Sequence, residues 1–268
     1  MRPLFEYLQN QSFNNYIDGH IHLFDGKNQP IQPTGKCVGF ADILFKHQNI
    51  YKGEKLIQLY KDYIKDHDTS DVYLLATGLT AEDVINLYKA MPDKIAGFGE
   101  LKCYDKYGSE EVVDVNFKRL DWVRKICDFN ADLRLPVYLH YTLTDPRYFQ
   151  RFSRFLNEYP NIPIVLCHCG MDIRQKDTKY DWEWTFFKVL ELLKTYRNLW
   201  IDISYTAHDF FAMNPGKITS LPMDRIIVGS DRNPLNPTSI RFMDDWIMKW
   251  SDKNILNLFD KYKKPQHL

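Results

Sequence analysis

The chain has 268 residues, 44% of them hydrophobic and 15% aromatic, enough to bury a sizeable core. Lys+Arg and Asp+Glu both number 35, so the formal charge is zero and offers no electrostatic case for a nucleic-acid or anionic-membrane partner. No uninterrupted apolar run approaches membrane-spanning length, and the N-terminal stretch lacks the apolar segment of a signal peptide.

Short runs rich in Val and Ile alternate with longer helical patterns, the signature of βα units around a parallel sheet. A first strand is predicted over residues 15–22 and ends in Asp18-Gly-His20-Ile-His22. A polar loop, 25–35, leads to a weak strand signal at 36–41, then a helix over 54–66 and a strand over 71–77. Thr80 caps a helix running to Ala90, with Asp83 three residues on as its capping-box partner. Strand 94–102 follows, then a long amphipathic helix that uses Val112, Val115, Leu120, Val123 and Ile126. Strand 135–140 ends in His140. Asp145-Pro146 reads as N-cap and N1 proline of a helix that stops before Pro160. Strand 162–168 ends in His168 and leads to an aromatic-rich helix, 181–196. Strands 198–204 and 225–231 come next, then two terminal helical stretches split near Ser251. With the weak signal counted there are eight strands, the number that closes a (β/α)8 TIM barrel; without it the barrel is irregular. No linker, repeat or low-complexity tract divides the chain, so residues 1–268 read as a single domain.

Residues two apart on a strand share a face, so His20 and His22 can reach one cation together. His140, His168 and Asp231 end other strands, and the strand tips of a barrel converge on one mouth. Any one histidine on a strand is more often a core or surface residue than a ligand, so the weight lies in the set. His47, His67 and His267 lack that context and read as solvated. The five cysteines, Cys37, Cys103, Cys127, Cys167 and Cys169, form no disulfide-scaffold spacing and point to a reducing, cytoplasmic setting. Cys167-His168-Cys169 has the composition of a soft-metal motif. If the segment is a strand, alternation puts both thiols opposite His168, and they read as packing groups. The aromatic stretch from Trp182 to Phe187 reads as helix packing rather than a stacking platform.

Phe24 after the histidine pair, Leu135-Pro-Val-Tyr-Leu-His140, Val165-Leu-Cys-His168-Cys-Gly170, Trp200-Ile-Asp-Ile-Ser204 and Ile227-Val-Gly-Ser-Asp231 follow in an order that resembles the amidohydrolase superfamily of metal-dependent TIM barrels. The likeness is strongest to its amidohydrolase-2 branch and runs from residue 16 to 234. One departure is Cys169, which interrupts a run that is His-Leu-Gly-Gly-like in the family. The resemblance implies that His20, His22 and Asp231 hold one divalent ion, and that His140 approaches it or a second. It gives Asp231 the proton of a bound water, and makes His168 a ligand of the second ion or a donor to developing negative charge. Gly97-Phe-Gly-Glu100 resembles the Gly-Glu motif of TatD-like nucleases, in which the Glu joins the metal cluster. Lys102 shares a strand face with Glu100 and is a second, weaker candidate, since some superfamily members carry a carboxylated lysine from the corresponding strand. The plain alternative is a structural Glu100–Lys102 pair. Imidazole and carboxylate suit one or two ions of zinc first, and also manganese, iron or nickel.

Lys102, Tyr141, Arg174, His208 and Arg232 follow strand ends and are candidates to touch substrate, Arg232 through a substrate carboxylate. The loops that would select it, 25–35, 104–109, 171–180 and 205–215, are mostly polar, which suits a small polar, carboxylate-bearing molecule. The function implied is a metal-dependent hydrolase that attacks an amide, ester or lactone with activated water. The alternatives are a non-oxidative decarboxylase of an aromatic or unsaturated acid, a TatD-like phosphoesterase, and a non-catalytic barrel with a closed structural metal site. A phosphoesterase would want a cationic channel, to which zero formal charge lends nothing. A small-molecule substrate is expected, with no nucleic acid and no membrane, and homo-oligomerisation is left open.

Overall fold

Eight parallel strands pair in chain order, each with the next: β1 (Asp18–His22), β2 (Cys37–Phe40), β3 (Val72–Ala76), β4 (Ile95–Lys102), β5 (Val137–His140), β6 (Ile164–Leu166), β7 (Leu199–Ile203) and β8 (Ile226–Val228). The structure is a computed structural model that describes residues 16–24, 30, 33, 35–40, 52–103, 112–143, 146–171, 181–231 and 245–260. The Asp231 amide donates to the His20 carbonyl at 2.9 Å, and the Ser230 amide to the Asp18 carboxylate at 2.8 Å. These bonds bring the end of β8 back to β1, and the sheet curls into a nearly closed (β/α)8 barrel. The weak signal at 36–41 is a strand, with Cys37, Val38 and Gly39 paired to Val72, Tyr73 and Leu74. Its four residues, all buried, show too little alternation to stand out in sequence.

Between the strands lie α1 (Glu54–Asp66), α2 (Ala81–Ala90), α3 (Val112–Phe129), α4 (Pro146–Glu158), α5 (Trp182–Thr195) and α6 (Thr206–Met213), with α7 (Asp245–Asp260) after β8. On α1, Leu56, Ile57, Tyr60 and Tyr63 fall three to four apart and form its buried stripe. Thr80 caps α2 by accepting from the Asp83 amide at 3.1 Å. The Asp83 carboxylate does not complete a capping box: it accepts from the Thr80 hydroxyl and from the Gly53 amide, tying α2 to α1.

The core has an outer shell between helices and strands and an inner one within the barrel. Val38, Phe40, Tyr73, Leu75, Tyr138, Val165 and Ile227 fill the interior, and Ile255, Leu258 and Phe259 of α7 pack with them. Phe259 stacks on Tyr73 at 4.5 Å, near the strands' N-terminal ends. With the lower interior filled by carbon, buried polar side chains have room at the C-terminal mouth.

Three segments depart from expectation. β6 ends at Leu166, and Cys167–Gly170 form a 3-10 turn with His168 and Cys169 both at φ 54°. Strand alternation therefore does not apply to the thiols: Cys167 enters the inner core and Cys169 the outer one. Residues 206–213 are helix rather than loop, because Ala207, Phe210 and Phe211 are buried on one side. The terminal helix runs unbroken through Ser251, which is buried and accepts from the Val228 amide at 2.8 Å. Among the described residues no helix is long and apolar enough to cross a membrane, and all five cysteines are free and buried.

Candidate active site

All six candidate ligands converge at the C-terminal ends of the strands. β1 turns Ile21 outward into the helix shell and His20 and His22 inward. The Phe40 ring meets both imidazoles edge-on, at 4.9 Å each, and sets their spacing. Asp231 lies three residues beyond β8, at φ 48°. Its Oδ1 is 2.8 Å from His22 Nε2 and 3.2 Å from His20 Nε2. On β4 the register shifts between Phe98 and Leu101. Phe98 packs outward on Tyr88 and Phe129, whereas Glu100 faces the barrel axis. Gly99 makes this crossing possible, since at φ 138° a Cβ there would lie 2.5 Å from Tyr138 Cβ. Glu100 Oε1 contacts His140 Nδ1 and lies 3.3 Å from His168 Nε2, with Lys102 Nζ 3.7 Å from Oε2. Two sets of donor atoms thus adjoin, His20–His22–Asp231 and Glu100–His140–His168, with the His20 and His168 rings 5.2 Å apart.

The electrostatics draw positive charge to this spot. Burial would raise the Asp231 carboxyl, but His168, His20 and His22 outweigh it and hold it well below the usual carboxylate range. Burial is likewise overcome at Glu100, held well below its ordinary value by His140, Lys102 and His168. Burial disfavours a charged His20, yet Asp202 and Asp231 raise it well above the ordinary imidazole value. His168 is raised too, against burial, by Asp231 and Glu100. His140 is lowered, because burial and the neighbouring His168 prevail over Glu100. Buried carboxylates facing imidazole nitrogens need a cation between them, whether protons or a metal ion. Among the described residues the buried His20 Nε2 has no hydrogen-bond partner despite its nearness to Asp231, an atom of the kind a metal would take up. The donor set fits a divalent ion such as zinc.

Residues 106–247, more than half of the chain and including His140, His168, Asp202 and Asp231, match the amidohydrolase family. The chain belongs to that family, and it is an enzyme. Its fold is similar to that of a TatD homolog from Escherichia coli (TM-score 0.57, 14% identity, 91% of this chain and 98% of that one). It is also similar to dihydroorotase from Campylobacter jejuni (0.56, 15%, 94% and 85%) and to an amidohydrolase from Burkholderia multivorans with bound zinc (0.50, 11%, 89% and 90%). Identities this low speak for the fold alone. A comparison with curated protein sequences gives no match.

The substrate candidates of this amidohydrolase divide. Lys102 stands at the mouth, partly exposed beside Glu100. Tyr141 is turned outward instead: its hydroxyl donates to the Tyr148 carbonyl at 3.2 Å and its ring stacks on Phe152. His208 is buried on α6 with Nε2 donating to the Gly229 carbonyl at 2.9 Å, so it supports the end of β8. Arg174 and Arg232 lie outside the described residues, as do loop residues 104–109 and 172–180.

Two residues escaped the sequence reading. Asp202 Oδ2 accepts from His20 Nδ1 at 2.7 Å and from the Ser204 hydroxyl at 2.6 Å, and Ser204 Oγ meets His168 Nδ1 at 2.8 Å. Their signal was present: an acid and a hydroxyl two apart, in a segment otherwise apolar, share the strand's inward face. Gly229 is a further support, since a Cβ there would sit 2.3 Å from His20 Cβ and 2.6 Å from His20 N. Gly229→Ala is expected to cost about 1–3 kcal/mol and to displace His20. Urea unfolding checks it against Gly216→Ala, where a Cβ meets nothing within 4 Å.

Proposed function

We propose that the protein is a metal-dependent hydrolase that directs an activated water at the amide, ester or lactone carbonyl of a small polar molecule. The observation that carries this reading is the convergence at one barrel mouth of two groups of donor atoms that share His20, His20–His22–Asp231 and His20–Glu100–His168, with His140 in contact with Glu100. Zinc, present in the Burkholderia protein, is the first choice for an ion that, once bound, would polarise the carbonyl and bring the pKa of a bound water toward neutrality.

Asp231 is the group to accept the proton of the attacking water, being held ionised beside the ligand imidazoles of His20 and His22. His168 presents Nε2 to the same space, as a ligand or as a donor to charge developing on the substrate oxygen. Lys102 is placed to orient a carboxylate on the substrate and to offset Glu100. A cytoplasmic, reducing setting fits the free buried thiols.

The test is metal content per chain, by elemental analysis of protein purified without chelators, for wild type and Glu100→Gln. Near two ions falling to near one is the expected result. Near one ion in both would remove Glu100 as a ligand and bring non-oxidative decarboxylation level with hydrolysis. No metal in either, even after reconstitution, would overturn the proposal.

A further inference from the structure

Asp202 is fully buried on β7, and a single one of its oxygens gathers three parts of the barrel. Oδ2 lies 2.7 Å from His20 Nδ1, 2.6 Å from Ser204 Oγ and 3.4 Å from the His168 amide nitrogen. The His168 amide can only donate, so Oδ2 is the acceptor at this point, and His20 Nδ1 and the Ser204 hydroxyl converge on it as donors too. The single hydroxyl hydrogen of Ser204 is then committed to Asp202. At 2.8 Å from Ser204 Oγ, His168 Nδ1 can only donate to the oxygen's lone pair. The reverse assignment would set oxygen lone pairs against each other at 2.6 Å, inside the barrel and away from solvent.

Donor counting therefore places a hydrogen on Nδ1 of two histidines, one on β1 and one in the turn after β6. Both carry hydrogen on Nδ1, and both keep Nε2 for the mouth, where His20 Nε2 faces Asp231 and His168 Nε2 faces Glu100. His140 is arranged the other way, with Nδ1 toward Glu100.

We propose that Asp202 and Ser204 are positioning residues, a single buried relay that fixes ring orientation and tautomer in His20 and His168 so that both Nε2 lone pairs point at the bound cation. This rests on the metal-dependent reading above. It makes His168 a ligand through Nε2 and ties the two ligand sets together behind the site, so that they are aligned before any ion arrives. The same contacts account for the nearness of Cys167 to His20 and Asp202: His20 Nδ1 is already occupied by Asp202, and the thiol beside them is a packing group.

The test combines two readouts on the full-length chain. Long-range proton–nitrogen correlation of histidine-labelled protein, zinc-loaded and metal-free, reports which ring nitrogen carries hydrogen. Histidine-to-glutamine variants assign the signals. Competition with a chromogenic chelator reports zinc affinity. In wild type, Nδ1 of His20 and of His168 should both be protonated, with and without zinc. Ser204→Ala should shift His168 toward the opposite tautomer, leave His20 as it was and weaken zinc binding about tenfold. Asp202→Asn should disturb both rings and weaken zinc binding by about 10–100-fold. An unprotonated Nδ1 on either ring in wild type, or an unchanged His168 tautomer with zinc affinity within twofold in Ser204→Ala, would overturn the relay. Because Ser204→Ala removes one oxygen and fills no space, it keeps the test open should Asp202→Asn fail to fold. If wild type binds no zinc but shows both Nδ1 protons, the metal-dependent reading falls and the assigned tautomers stand.

Discussion

Asp231→Asn is expected to lower turnover by about 10²–10⁴-fold while the barrel stays folded. The side chain keeps its shape, but an amide cannot take a proton from water, and it no longer supplies the negative charge that faces His20 and His22 at 3.2 and 2.8 Å. Closure of the barrel should survive, because the bond to the His20 carbonyl comes from the Asp231 main chain and the neighbouring clamp from the Ser230 amide to Asp18. Far-UV circular dichroism and the melting temperature should therefore be close to wild type. Turnover is measured on the best substrate from a panel of esters, lactones and amides bearing a carboxylate, with metal content measured on the same samples. Reduced metal content alongside the loss would mark Asp231 as a ligand as well as a base. A variant with full activity would remove it from both roles.

The path from sequence to this site was open wherever a chemistry-bearing residue kept strand spacing or ended a strand. His20 and His22 alternate with outward Ile21, and His140 closes β5. Glu100 and Lys102 are two apart and do share a face, although the register shift that turns Glu100 inward, two residues after outward Phe98, has no simple sequence period. The legible pattern failed where the backbone leaves the extended form. Alternation carried past Leu166 gave Cys167 and Cys169 a common face, but the turn with φ 54° at His168 and Cys169 sends them to different cores. Tyr141 directly follows His140 on a strand that points His140 inward, so by the same period it had to face the helices. His208 looked like a loop residue because the short α6 has no long hydrophobic repeat, yet its tertiary burial makes it helix. Asp202 and Ser204 were hidden for another reason. Their shared strand face is legible, but their value lies in what they hold, and spacing does not name a hydrogen-bond partner far away in sequence.

Arg225 separates stability from chemistry along β8. It lies in the short 3-10 turn ahead of the strand, almost fully buried, and its guanidinium donates to the carbonyls of Leu193 at 2.7 Å, Tyr196 at 2.8 Å and Leu199 at 3.3 Å. The first two belong to the end of α5, where carbonyls lack helical partners and the helix dipole favours a cation. The third begins β7. Arg225→Ala would leave these acceptors buried without their donor, at a cost of about 3–5 kcal/mol. For a chain of this size that corresponds to a melting temperature lower by roughly 10 °C. Arg225→Lys should recover only part of it, because one ammonium cannot span the planar fork that reaches three carbonyls. Metal content should stay at the wild-type value. Arg225 acts at the N-terminal end of β8, where Asn254 also ties α7 to the Met223 and Ile226 carbonyls, whereas Asp231 lies beyond the opposite end. In a barrel the mouth carries chemistry and the base carries stability, so the two substitutions should fail in opposite assays. If Arg225→Ala lost its metal without losing thermal stability, the division of β8 into a holding end and a working end would not stand.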